Sequence, residues 1–127
     1  MHFKVVLSLL IAILPVVNFG APRPDGEAWK GIFNGKNLDG WKAPDMSYFS
    51  VEDGAITGQT TREHNPPENQ FIVWQDGKVD DFELKFKFRI FGPKANSGMQ
   101  FRSQVKERGL VHGYQADMAT AGPYLGA

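Results

Sequence analysis

The stretch Phe82-Glu83-Leu84-Lys85-Phe86-Lys87-Phe88-Arg89-Ile90 alternates apolar and charged side chains without a break. Successive side chains of an extended strand leave opposite faces of a sheet, so Phe82, Leu84, Phe86, Phe88 and Ile90 would share one face. Glu83, Lys85, Lys87 and Arg89 would share the other, toward water or a partner. A helix turns by about 100° per residue and would scatter those apolar groups around its circumference. The period of two predicts a strand over Phe82–Ile90 with its apolar side in a sheet core, and it points to an all-β fold.

On the C-terminal side, Gly92–Gly98 holds Pro93, Asn96 and Gly98 and predicts a turn region. Alternation resumes at Met99–Ser103, with Met99 and Phe101 on one face and Gln100 and Arg102 on the other. Lys106–Gly109 turns the chain, and Tyr114–Met118 alternates again. Tyr114, Ala116 and Met118 take one side there, Gln115 and Asp117 the opposite one. On the N-terminal side, Trp29–Trp41 carries Gly31, Gly35 and Gly40 around Phe33 and Leu38, which suits a short strand and tight turns. Phe49–Val51, Asp53-Gly54 and Ala55–Thr57 read as a hairpin, because Asp-Gly supplies the positive φ angles of a two-residue turn. Thr60–Gln70, with Pro66-Pro67, predicts a loop long enough to overhang a site. Phe71–Trp74 predicts a short strand, and Gln75–Asp80 returns the chain through Asp76-Gly77. Short strands separated by turns, with no sustained helical period, argue for an antiparallel β-sandwich. An apolar strand is starting at Tyr124-Leu125-Gly126-Ala127, so further strands are expected beyond Ala127.

The first 21 residues have a different layout. Met1–Lys4 is basic, and Val5–Val17 is apolar apart from Ser8 and Pro15. This is the pattern of a secretory signal peptide, with a cut near Gly20 or Ala21 and a polar lead-in to residue 30. An uncleaved anchor is the alternative, but a spanning helix needs about 20 apolar residues. With no cysteine, neither lipidation of the leader nor disulfide staples nor cysteine metal sites are expected. A secreted or periplasmic location follows as the expectation, with no stable membrane span after cleavage. Removing the leader takes Lys4 and no acid from 14 basic and 14 acidic residues, leaving 13 against 14. That balance leaves no basic field for nucleic acid or an anionic membrane. Ten Phe, three Trp and three Tyr must supply the core, and such residues favour sheets.

If Met99–Ser103 and Tyr114–Met118 are neighbours, Gln100, Arg102, Gln115 and Asp117 crowd one sheet surface. Two amides, a guanidinium and a carboxylate offer paired donors and acceptors for sugar hydroxyls. An acid beside Arg102 would stay ionised and could act as a base. A face that is simply solvated satisfies the same alternation. His64 and His112 each stand alone in polar loops, with no ligand partner at a metal-binding spacing. Glu63-His64 and Glu68-Asn69 matter only if the Pro-Pro loop folds over the sheet. No nucleophile elbow, phosphate loop or dinucleotide fingerprint is present. Asn96-Ser97-Gly98 is not a glycosylation signal and reads by pattern as a turn.

Four segments in order resemble the DUF1080, or 3-keto-disaccharide hydrolase, domain family. They are Phe33-Asn34-Gly35-Lys36-Asn37-Leu38-Asp39-Gly40-Trp41, Val51-Glu52-Asp53-Gly54-Ala55-Ile56-Thr57-Gly58, Asp81 through Arg89, and Asn96-Ser97-Gly98-Met99-Gln100-Phe101-Arg102. Gly113-Tyr114-Gln115-Ala116-Asp117-Met118 fits as a continuation, and the resemblance spans Gly31 to Ala127. It implies a concanavalin A-like jelly roll, exported by glycan-degrading bacteria and acting on disaccharides or glycosides oxidised at C3. On the matching positions it implies Asp117 as base or metal ligand and Arg102 as stabiliser of an oxyanion or orienter of the sugar. Gln100, Gln115 and Asn96 would then hold the substrate. A divalent metal is compatible with such chemistry, although no ligand spacing implies one. The rival is a lectin-like carbohydrate-binding module on the same sandwich, with Trp74 as its aromatic platform. A structural sandwich inside a larger assembly is the third reading.

Overall fold

The computed structural model describes residues 29–93, 95–120 and 122, so the leader and the last five residues lie outside the described part. Every strand in it is antiparallel, and the fold is all-β. The strands are β1 (Trp41–Lys42), β2 (Phe49–Glu52), β3 (Ala55–Gly58), β4 (Val73–Trp74), β5 (Asn96–Val105) and β6 (Val111–Ala119). They pair as β1 with β4, β2 with β3, and β5 with β6. These three ladders are separate two-stranded sheets among the described residues, and the sandwich expected from the strand count is not assembled from them.

The β2–β3 hairpin forms where the Asp53-Gly54 signal places it. Asp53 and Gly54 take φ angles of 51° and 74°, the pair of left-handed conformations that a two-residue turn between twisted strands requires. Glu52 therefore pairs with Ala55, and Phe49 with Gly58. Ala55, Ile56 and Thr57 are all buried, so β3 is covered on both faces, whereas β2 alternates between partly covered and exposed positions. Phe33, Ala95 and Met118 are the other buried apolar or small residues among those described.

The glycine-rich Trp29–Trp41 segment forms turns, not the short strand expected, and only Trp41 enters a ladder. Asn34 explains why. Its Oδ1 accepts from the backbone amides of Lys36 (2.8 Å) and Asn37 (3.0 Å), and its side-chain amide donates to Asn37 Oδ1 at 2.6 Å. Such local bonds compete with ladder formation. Trp41 then anchors this turn by donating its indole N–H to the Ile32 carbonyl at 2.9 Å.

The Thr60–Gln70 segment is a loop, and it is fastened at two points. Near its start, the His64 ring stacks on Tyr48 at 4.0 Å, and its Nε2 lies 3.2 Å from Ser47 Oγ. Ser47 and Tyr48 belong to the 3-10 turn Met46–Tyr48, capped by Asp45, whose Oδ1 accepts from the Ser47 amide at 2.9 Å and its hydroxyl at 2.6 Å. Near its end, Glu68 pairs with Arg108 at 3.1 Å, so the loop reaches the turn between β5 and β6. Those two hydrogen bonds from Ser47, with a smaller contribution from His64, hold the Asp45 carboxyl below the ordinary carboxylate range.

The stretch Phe82–Ile90 is the main correction. It joins no ladder, and the turn expected over Gly92–Gly98 is shortened because β5 already begins at Asn96. The alternation survives in part: Leu84, Phe86 and Ile90 are half-buried and the charged residues exposed. Phe82 and Phe88, however, are 39% and 51% exposed, so this face is not core among the described residues. Period two fixes which side chains share a face. It does not supply the backbone edge that makes a strand part of a sheet, and among the described residues β6 is the only hydrogen-bonded neighbour of β5.

Two stability predictions follow from this core and its clasp. Ile56→Ala empties a site that is 1% exposed and should lower unfolding stability by about 2–5 kcal/mol, read from the denaturant midpoint. A lowered carboxylate pKa contributes stability that is present above the ordinary value of 3.8 and lost as pH falls through the lowered one. Asp45→Asn should therefore flatten the acid limb of stability against pH, and an unchanged limb would show that the Ser47 clasp does not stabilise the fold.

Candidate functional site

The longest ladder carries the candidate site. In β5–β6, Asn96 pairs with Ala119, Gly98 with Asp117, Gln100 with Gln115, and Phe101 with Tyr114. The expected adjacency of these strands is thus met. Directly opposed residues point to the same side of a sheet. Gln100, Gln115 and Asp117 therefore share one face with Asn96 and Gly98, and Met99, Phe101, Tyr114, Ala116 and Met118 share the other.

Side chains on the first face are joined in a row. Gln100 Nε2 donates to Gln115 Oε1 at 2.7 Å, and Gln115 Nε2 donates to Asp117 Oδ1 at 2.5 Å. At the other end, Ser103 Oγ lies 3.1 Å from Gln100 Oε1 and 2.8 Å from the Phe101 carbonyl. Gln115 and Asp117 are exposed and Gln100 and Ser103 half-buried, so the row lies open along the sheet surface.

Two glycines make room for it. A Cβ at Gly98 would fall 2.5 Å from both Cγ and Cδ of Gln115, closer than real contacts allow. A Cβ at Gly113 would fall 2.6 Å from Cα and Cβ of Ser103. Any other residue at either position would push the polar side chains off the sheet. Neither glycine nor Ser103 stands out by residue type alone. The signal that points to the glycines is their place two residues before Gln100 and Gln115 on the two alternating strands.

Arg102 departs from the expectation. Between Phe101 and Gln104 the register slips, and two β5 residues, Arg102 and Ser103, oppose the single Gly113. This is a β-bulge. Arg102 takes the left-handed region at φ 48°, and its guanidinium pairs with Asp81 at 3.2 Å and Asp80 at 3.9 Å. It lies four positions along β5 from Gly98, the partner of Asp117, or roughly 13 Å. It is therefore not the cation beside the acid that the alternation implied. Asn96 opens β5 at the opposite end of the ladder and belongs to a strand, not a turn.

The remaining candidates lie elsewhere. His64 is committed to the Tyr48 and Ser47 clasp, and His112 pairs with Gln104 in register near the hairpin end. Trp74 pairs with Trp41 in the β1–β4 ladder, and Lys30 Nζ sits over its ring at 5.2 Å from the centroid. That ammonium occupies a face which a sugar platform would need free. Among the described residues no group of three or more His, Cys, Asp or Glu is arranged to hold a metal ion. No described helix is long and apolar enough to cross a membrane.

An all-β domain with an open row of two amides and a carboxylate on one hairpin face is a class suited to hydroxyl-rich ligands. The model of the 3-keto-alpha-glucoside-1,2-lyase-like domain matches residues 28–124, and the chain belongs to that family. The family is 3-keto-glycoside hydrolase-like, in keeping with the resemblance carried by the four motifs. No curated protein and no solved structure matches the chain.

Gly98→Ala should displace Gln115 and break its bond with Gln100. Side-chain amide resonances of Gln100 and Gln115 would then move to solvent-like positions in an NMR spectrum, while β5–β6 backbone protection persists. Unmoved amide resonances would show that the row does not need the glycine.

Proposed function

We propose that this protein is an exported enzyme that cleaves 3-keto-glycosides or 3-keto-disaccharides by way of their acidic C2 proton. The observation that carries the reading is the Gln100–Gln115–Asp117 row on an open sheet face, in a chain whose family description names a 1,2-lyase. A leader ending near Ala21 is the basis for export, and a β-sandwich is the fold that goes with this reading.

A ketone at C3 acidifies the C2–H bond. In the proposed reaction the free oxygen of the Asp117 carboxylate takes that proton, and the C2–H electron pair becomes an enolate with its charge on the C3 oxygen. The enolate re-forms the ketone, places a double bond between C1 and C2, and expels the C1 oxygen substituent, which acquires a proton. Water then adds across C1 and C2 and completes a net hydrolysis. The base must lie within hydrogen-bond reach of the proton, and Asp117 is exposed with one carboxylate oxygen already held by Gln115. Holding that oxygen fixes the direction in which the other can act.

Gln100 and Gln115 offer the sugar their remaining amide hydrogens and carbonyl lone pairs. Asn96 lies on the same face at the entrance of β5. Arg102 serves at the other end as an orienter of the second sugar ring or the aglycone. Its ion pairs with Asp80 and Asp81 involve carboxylates almost fully exposed, and such pairs contribute about 0–1 kcal/mol and exchange readily. Lectin-like binding without turnover has less support, because the Lys30 ammonium lies over one face of the Trp74 ring.

Asp117→Asn keeps the shape of the row and removes the base. Turnover of a 3-keto-glucoside should fall by about 10²–10⁴-fold, with sugar binding retained in a calorimeter. Undiminished turnover would discard the base assignment, and wild-type binding with no turnover would favour the lectin.

A further inference from the structure

We propose that Ser103 is a positioning residue that fixes the polarity of the amide row and through it the orientation of the Asp117 carboxylate; this rests on the reading of Asp117 as the base. An ionised carboxylate can only accept hydrogen bonds. Gln115 must therefore present Nε2 to Asp117, at 2.5 Å, and so turns Oε1 toward Gln100. Gln100 must answer with Nε2, at 2.7 Å, and is left with Oε1 facing Ser103 Oγ at 3.1 Å. One charge fixes the polarity of every amide down to the hydroxyl.

That polarity persists through proton transfer, because the C2 proton goes to the other carboxylate oxygen and the one held by Gln115 remains an acceptor. The row therefore needs a donor at its far end. The Ser103 hydroxyl supplies it to Gln100 Oε1 and also lies 2.8 Å from the Phe101 carbonyl. Without that donor the Gln100 amide is free to turn, Gln115 can follow, and the carboxylate loses its fixed orientation.

The bulge is what brings Ser103 to this position. Undisturbed alternation would put Arg102, not Ser103, next after Gln100 on this face. The left-handed turn at Arg102 inserts one residue and sets Ser103 over Gly113, which has no side chain to displace it. The strained backbone at Arg102 and the glycine opposite thus serve a single hydroxyl.

The experiment measures kcat and KM of the full chain for a 3-keto-glucoside in the wild type, Asp117→Asn, Ser103→Ala and Ser103→Thr, with a thermal melt of each. Ser103→Ala should lower kcat about tenfold, the effect of one lost hydrogen bond, with KM within about twofold. Ser103→Thr restores the hydroxyl and should recover most of kcat. Ser103→Ala at the wild-type kcat, or a loss in it that a normally melting Ser103→Thr fails to restore, overturns the positioning role. Those results beside an inactive Asp117→Asn leave the base reading standing; an active Asp117→Asn, or a wild type without turnover, overturns both. Should Ser103→Ala melt early, the pair Ser103→Thr and Gly113→Ala decides. Gly113→Ala crowds the hydroxyl from across the ladder and should lose kcat as Ser103→Ala would, and wild-type kcat in it overturns the proposal.

Discussion

The β5–β6 ladder is the constraint on which the functional geometry depends. Antiparallel pairing sets residues opposite one another in a fixed register, and direct opposition of Gln100 with Gln115 and of Gly98 with Asp117 brings three polar side chains within hydrogen-bond distance. A one-residue slip would send Gln115 and Asp117 to the face that carries Phe101 and Met118. The register is held at one end by the buried Met118 and by Thr120, whose backbone N–H donates to the Ala95 carbonyl and whose hydroxyl accepts from the Ala95 amide, both at 3.0 Å. At the other end Arg108 pairs with Glu68 of the long loop. The site is thus built on a ladder fastened at both ends, and its two faces do different work. The apolar face buries Met118 and stacks Phe101 on Tyr114 at 5.8 Å. The opposite face stays wet and polar.

Local chemistry makes much of this architecture legible in the sequence. Asp53-Gly54 specifies a two-residue turn because its φ angles demand it, and the hairpin register follows from the turn. The alternation of Met99–Ser103 and Tyr114–Met118 gives the two faces of the ladder, and with them the clustering of Gln100, Gln115 and Asp117. What was not legible is long-range or exceptional. Phe82–Ile90 has the cleanest period in the chain, yet periodicity describes a surface and not its neighbour. The bulge at Arg102 also has no local signal, because arginine is not a residue that favours positive φ. It breaks the alternation at the position where the guanidinium was expected beside the acid. Ser103 and the two facing glycines were missed for the same reason: their meaning lies in the opposed strand.

The proposed chemistry rests on the same ladder. Proton abstraction next to a ketone asks for an ionised carboxylate held in one orientation, with hydrogen-bonding groups for the sugar around it. Asp117 is held by a neighbouring amide and not by a cation, and that amide is itself held by another. The row is open to solvent, which suits a hydroxyl-rich ligand that replaces water bonds with its own. The family to which the chain belongs is described as 3-keto-alpha-glucoside-1,2-lyase-like, and an exposed carboxylate on an amide-lined face suits the base proposed for it.

If cleavage passes through loss of the C2 proton, that proton is exchanged with solvent, and its fate decides the mechanism. Turnover of a 3-keto-glucoside in D₂O, followed by NMR of the keto-sugar released, reads the label at C2 against an enzyme-free control. Proton abstraction by the enzyme should leave one solvent deuterium at C2 for each bond cleaved, introduced at the rate of enzymatic cleavage. A product that keeps its original C2 hydrogen would mean direct displacement at C1 and would contradict it.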